Sequence, residues 1–95
     1  MKNFIVLHFG FESPTTEDMA AWNKWFEMVS ERQVDKGGLR DGKEILPAEI
    51  KDLPFGKDSI TGYTIIEAED LDEAVKIAGE CPIVASTRVY EVMRW

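Results

Sequence analysis

His8 is the only histidine and Cys81 the only cysteine in this chain of 95 residues. Zinc sites built from several Cys and His ligands are therefore excluded, and any Ser–His–Asp arrangement would have to run through His8. His8 stands near the end of an apolar stretch, on the same alternating face as Phe4 and Val6. If that face lines a cavity, a neutral imidazole with an ordinary pKa of about 6.5 can act there as a general base. The competing reading is a packed histidine that makes one hydrogen bond.

Tyr63 and Glu67 are four residues apart in a strand-like segment and so share a face, where they offer a hydroxyl and a carboxylate to one cavity. An inward carboxyl among apolar walls has a raised pKa and can move a proton. The alternative is a solvent-facing Glu67 beside a Tyr63 whose hydroxyl sits at the rim. Trp22, Trp25 and Phe26 can stack on a planar ligand, although such a stripe at helical spacing also serves as core. We take His8 and Glu67 as the candidate acid–base pair, and Tyr63, Trp22 and Trp25 as candidate substrate contacts. Cys81 follows a helix, where the negative dipole end disfavours a thiolate, so it reads as a small packed residue. The acidic run from Glu67 to Glu73 is explained by helix capping and solvation; no metal and no cofactor are expected.

The elements that must position these groups follow from the pattern. Residues 3–9 (NFIVLHF) are β-branched and aromatic and stop at Gly10. Phe4 and Val6 lie on one face, Ile5, Leu7 and Phe9 on the other, so this strand expects burial on both sides. SPTTED then opens a helix: Ser13 or Thr15 can accept an N-terminal amide, and Glu17 and Asp18 suit the positive dipole end. Met19, Trp22, Phe26 and Val29 recur at helical spacing, flanked by Trp25 and Met28, and Gly37-Gly38 is expected to stop the helix near Lys36. Pro and Gly punctuate residues 39–60, where an edge strand is expected around 43–46 or 48–51 before a loop. TGYTIIEA (61–68) reads as a strand, and EDLDEA as a helix start with Asp70 as cap. Leu71, Ala74, Val75 and Ala78 form the expected buried stripe, which ends before Pro82. Residues 87–94 (TRVYEVMR) alternate as a final strand.

The order is β-α-β-β-α-β, the ferredoxin-like α+β arrangement, in which right-handed crossovers place both helices on one face of the sheet. The opposite face stays bare and apolar, so a homodimer packed sheet against sheet is expected. No linker or repeat divides residues 1–95, which read as one domain.

Composition narrows the function classes. An apolar fraction of 44% with 31% charged residues describes a globular chain. A formal charge of −7 repels phosphate backbones and anionic lipid heads, so neither nucleic acid nor membrane is an expected partner. The longest apolar run, Phe4 to Phe9, is too short for a membrane span or signal core. A single cysteine forms no internal disulfide and suits a reducing cytoplasm.

Three stretches, MAAWNKWF (19–26), GYTIIEAEDLDEAVKIAGECP (62–82) and VYEV (89–92), resemble the YCII-related, or DGPF-domain, family. The resemblance implies a small dimeric α+β barrel, similar in architecture to muconolactone isomerases and antibiotic-biosynthesis monooxygenases. It also implies either a cofactor-free isomerase, lyase or monooxygenase acting on a small aromatic or lactone-like molecule, or a ligand-binding regulatory module. A purely structural dimerisation domain is the third expectation. Two features depart from the family pattern. Asp-Gly-Pro-Phe is replaced by Asp52-Leu53-Pro54-Phe55, and Cys81 stands before Pro82 where relatives near the type protein carry an Asp that works with a helical His. That pair has no counterpart here.

Overall fold

The computed structural model describes residues 1–93, so Arg94, the last residue of the expected final strand, lies outside the described residues. Eight elements follow in order: β1 (Lys2–Phe9), α1 (Thr16–Val29), β2 (Gln33–Gly38), β3 (Gly42–Ile45), β4 (Ile50–Leu53), β5 (Ile60–Ala68), α2 (Leu71–Ala78) and β6 (Ser86–Glu91). The main sheet has the strand order β2-β5-β1-β6, and every neighbouring pair in it is antiparallel. With two helices, this α+β architecture is compatible with the ferredoxin-like arrangement. β3 and β4 form a separate two-stranded sheet.

Alternation along β1 decides which face the helices cover. Phe4 and Val6 are fully buried and His8 nearly so, whereas Ile5, Leu7 and Phe9 are half-buried on the opposite, open face. On β5 the same alternation buries Thr64, Ile66 and Ala68. Trp25 and Val29 of α1 and Ala74 and Ala78 of α2 join these strand residues in one core, so both helices lie on the same side of the sheet. The molecule is only 18 Å thick in its shortest direction, about the depth of one sheet and one helix layer.

Local chemistry accounts for the helix starts. Thr15 accepts the amide of Asp18 at 3.1 Å, while the Asp18 carboxylate accepts the amide of Thr15 at 3.0 Å, a reciprocal capping box. Asp70 caps α2 by accepting the Glu73 amide at 2.9 Å. Glu73 in turn accepts the Glu69 amide and the Arg32 guanidinium, two bonds that hold its carboxyl below the usual range.

Three expectations are corrected. The first helix ends at Val29, not near Lys36, because the apolar spacing lapses after Val29 and residues 33–38 gain more as an edge strand paired to β5. The single edge strand expected around 43–46 or 48–51 is a hairpin of two strands, β3 with β4, that belongs to neither edge of the main sheet. In α2 the buried stripe runs through Ala74 and Ala78 with Ile77 against it, while Leu71 and Val75 are 48% and 51% exposed. No helix among the described residues is long and apolar enough to cross a membrane.

Candidate functional site

Strand register brings the site together. In one row across three strands stand Gly38 of β2, Gly62 of β5 and His8 of β1, all on the helix-covered face. The next row carries Lys36, Thr64 and Val6. Above them, α1 contributes Trp22 and Phe26, whose rings stack with centroids 5.6 Å apart. Between helix and sheet lies a half-open cavity of about 660 Å³, lined among others by His8, Trp22, Phe26, Lys36, Gly38 and Gly62. Phe11 and Phe55 pack at 4.6 Å and border it at the loop end.

His8 is 9% exposed, with Nε2 3.0 Å from the Thr64 hydroxyl and Nδ1 4.0 Å from the Cys81 thiol. Trp22 and Trp25 meet its ring edge-on, at centroid distances of 5.1 and 5.8 Å. Burial without a charged partner depresses the imidazole pKa to about 4, so His8 is neutral at neutral pH. The same burial pushes the Cys81 thiol up, which keeps it protonated. A neutral imidazole can bond a ligand oxygen or receive its proton, and a negative charge placed beside it would restore its basicity.

The expected site residues separate in the structure. His8 and Trp22 line the cavity. Trp25 does not: it is 2% exposed, and its indole N–H donates to the Ile77 carbonyl at 3.0 Å, so it belongs to the core. Tyr63 borders the cavity, but its ring lies against Gly37 and its hydroxyl donates to Asp35 at 3.1 Å, a bond that raises its pKa. Glu67 is exposed and registers with Asn3 at the far end of β1, on the open face. The expected His8–Glu67 pair is therefore not assembled, because the β1–β5 register joins even-numbered residues to even-numbered ones. Lys36, Thr64 and the two glycines are site residues that the sequence reading missed. Gly62 within a strand pattern was their one visible signal.

A second opening, of about 670 Å³, lies at the foot of the β3–β4 hairpin. Its charged groups, among them Arg40 and Lys57, are exposed, and no buried polar side chain lines it. The His8 cavity is the better candidate site.

Fold and cavity together define a small α+β protein with room for one small molecule between its sheet and first helix. The chain belongs to the YCII-related domain family, whose model matches residues 15–95. It is also similar to a solved structure, the 5-chloro-2-hydroxyhydroquinone dehydrochlorinase of Burkholderia phenoliruptrix AC1100 in complex with 2,5-dihydroxybenzoquinone. The two share 20% identity at a TM-score of 0.54, over 98% of this chain and 92% of the other. That likeness concerns the fold. No curated protein matches the chain.

Proposed function

We propose that this protein is a small cofactor-free enzyme acting on a planar aromatic or lactone-like molecule in the cavity between α1 and the sheet. One observation carries the reading: a half-open cavity walled by Trp22 and Phe26 has a nearly buried, neutral His8 on its floor. Apolar walls with few convergent polar groups are the usual lining of a small-molecule site. The family membership and a structural relative that holds a dihydroxybenzoquinone agree with an aromatic substrate. In this reading His8 accepts a substrate proton once the ligand has displaced water, Trp22 flanks the ring, and Tyr63 steadies the rim through Asp35. Glu67 has no part in it.

The catalytic unit is a homodimer of one-domain chains working in the cytoplasm. The open face carries Ile5, Leu7, Ile65 and Tyr90 in adjoining rows, a patch that a second copy of the same sheet would cover to make a dimeric α+β barrel. A non-catalytic ligand-binding role is the second reading, favoured by one specific observation. Neither ring nitrogen of His8 bonds a carboxylate among the described residues.

A thermal-shift and tryptophan-fluorescence screen of hydroxyquinones, aromatic acids and lactones, followed by turnover assays on the hits, tests both. Turnover that disappears in His8→Gln supports the enzyme. Binding without turnover selects the ligand-binding role, and a screen with no ligand overturns the cavity as the site.

A further inference from the structure

The floor of the cavity has an unusual composition. Gly38 and Gly62 pair directly across β2 and β5, beside His8 on β1, so two adjoining positions on the helix-covered face present only backbone. A Cβ built on Gly38 would approach nothing nearer than the Thr61 carbonyl oxygen at 3.9 Å. That position is therefore empty space, not a packing requirement. Gly38 does not have the left-handed backbone conformation that would explain it either, since Gly10 is the one described glycine with positive φ. At Gly62 a Cβ would come 3.2 Å from the Gly37 carbonyl oxygen, so close backbone approach accounts for that glycine. Gly37, by contrast, is filled from the open face, where a Cβ would lie 2.7 Å from the Tyr63 ring.

A bare backbone floor opposite a stacked pair of aromatic rings is the shape of a slot for a flat ring, which can lie close to the peptide planes. Two charged residues line that slot, Lys36 and Glu12. Lys36 faces the helices one row from His8, and its Nζ rests 4.2 Å from the centroid of Phe26. Glu12 sits in the segment before α1 and, like Lys36, is exposed, but only the Lys36 ammonium lies against a ring of the cavity wall. An ammonium held against a ring at the cavity wall stands where an anion stacked on the same ring can reach it.

We infer that the cavity selects planar aromatic anions, the ring lying over the Gly38–Gly62 pair and the carboxylate or phenolate oxygen reaching Lys36. This deepens the proposed function and rests on the same cavity. It also links binding to His8, because an anion seated beside the imidazole raises its proton affinity.

Naphthoate and naphthamide, which are near-isosteric and differ in charge, separate the inference from the reading beneath it. Titrated against Trp22 fluorescence at neutral pH and low salt, naphthoate should bind at least about tenfold more tightly, as a charge-assisted contact predicts. Lys36→Met should remove that advantage and bring naphthoate to the level of naphthamide. Gly38→Val should weaken both ligands while the thermal midpoint of the free protein holds, because its side chain enters empty space. Equal affinities in the wild type, or a preference that survives Lys36→Met, would overturn the anion selectivity and leave the cavity standing. Full binding by a folded Gly38→Val would overturn the glycine floor. If neither probe binds, cavity and inference fall together.

Discussion

His8 and Thr64 meet across the two central strands, the imidazole Nε2 3.0 Å from the hydroxyl on the helix-covered side of the sheet. They are diagonal neighbours, since His8 registers with Gly62, two residues before Thr64. A Cβ on Gly62 would rest 3.8 Å from the imidazole Cδ2, so the ring passes this position at van der Waals distance on its way to the next row. The contact ties His8, which lines the cavity, to the fully buried Thr64 beneath it.

Thr64→Val keeps the shape and removes the hydroxyl, leaving one imidazole nitrogen without its partner. The expected loss is about 1–3 kcal/mol of unfolding free energy, the cost of a buried group left unpaired. Urea denaturation at neutral pH measures it. An unchanged midpoint would show that solvent in the cavity already serves that nitrogen.

Acid should weaken the fold through His8. Its folded pKa of about 4 lies below the ordinary value of 6.5, so between these values the unfolded chain binds more protons than the folded one. Stability from this group is complete above pH 6.5 and is lost as pH falls toward 4, by at most about 3 kcal/mol and by less to the extent that solvent in the cavity screens the ring. Carboxylates titrate in the lower part of that window too, so the comparison is with His8→Gln. The wild type should lose more stability than the variant over the same range, and parallel curves would place the imidazole in solvent.

Asp70→Ala removes the cap that accepts the Glu73 amide. It should cost about 1 kcal/mol, with Asp70→Asn recovering most of it. Chemical denaturation reads the difference, and an alanine variant with wild-type stability would move the start of α2 elsewhere.

Leu7 lies at the centre of the open face, between Tyr63 and Arg88 in register. In the proposed dimer, Leu7→Lys sets like charges face to face near the two-fold axis. Wild-type protein should sediment at twice the chain mass at micromolar concentration, and the variant at the mass of one chain. A wild type that is monomeric there would remove the dimeric barrel from the proposal.

Much of this arrangement is legible in the sequence because it is set by local pattern. The two-faced apolar stretch around Phe4 and Val6, the cap at Asp70, and the strand over 61–68 all follow from spacing and side-chain type, whereas the first cap stays open between Ser13 and Thr15 until the structure selects Thr15. What sequence leaves open is register. Whether His8 or Leu7 shares a face with Glu67 depends on whether β1 and β5 pair even with even or even with odd, and a slip of one residue reverses the answer. Gly37-Gly38 misleads for a related reason. Glycines are common helix terminators, yet here they end an edge strand, one tucked beneath Tyr63 and the other open to the cavity. Lys36 reads as a helix end until its strand is known.

The β3–β4 hairpin stands apart from the sheet, with every residue of both strands exposed and the Leu39 amide bonded to the Thr61 carbonyl at its neck. A two-stranded hairpin that rests on nothing is marginal in water. Its opening therefore need not disturb the layers behind the neck, and the chain holds two tiers of cooperativity. Amides of residues 42–53 should exchange with deuterium through local openings, while those of Val6 and Ile66 wait for global unfolding. Between the tiers lies Phe55, which leaves the hairpin and rests on Phe11 at the edge of the cavity. Exchange of the residue 55 and 56 amides should therefore follow the hairpin's local openings if Phe55 moves with it, and the global transition if the Phe11 contact holds it to the layers behind.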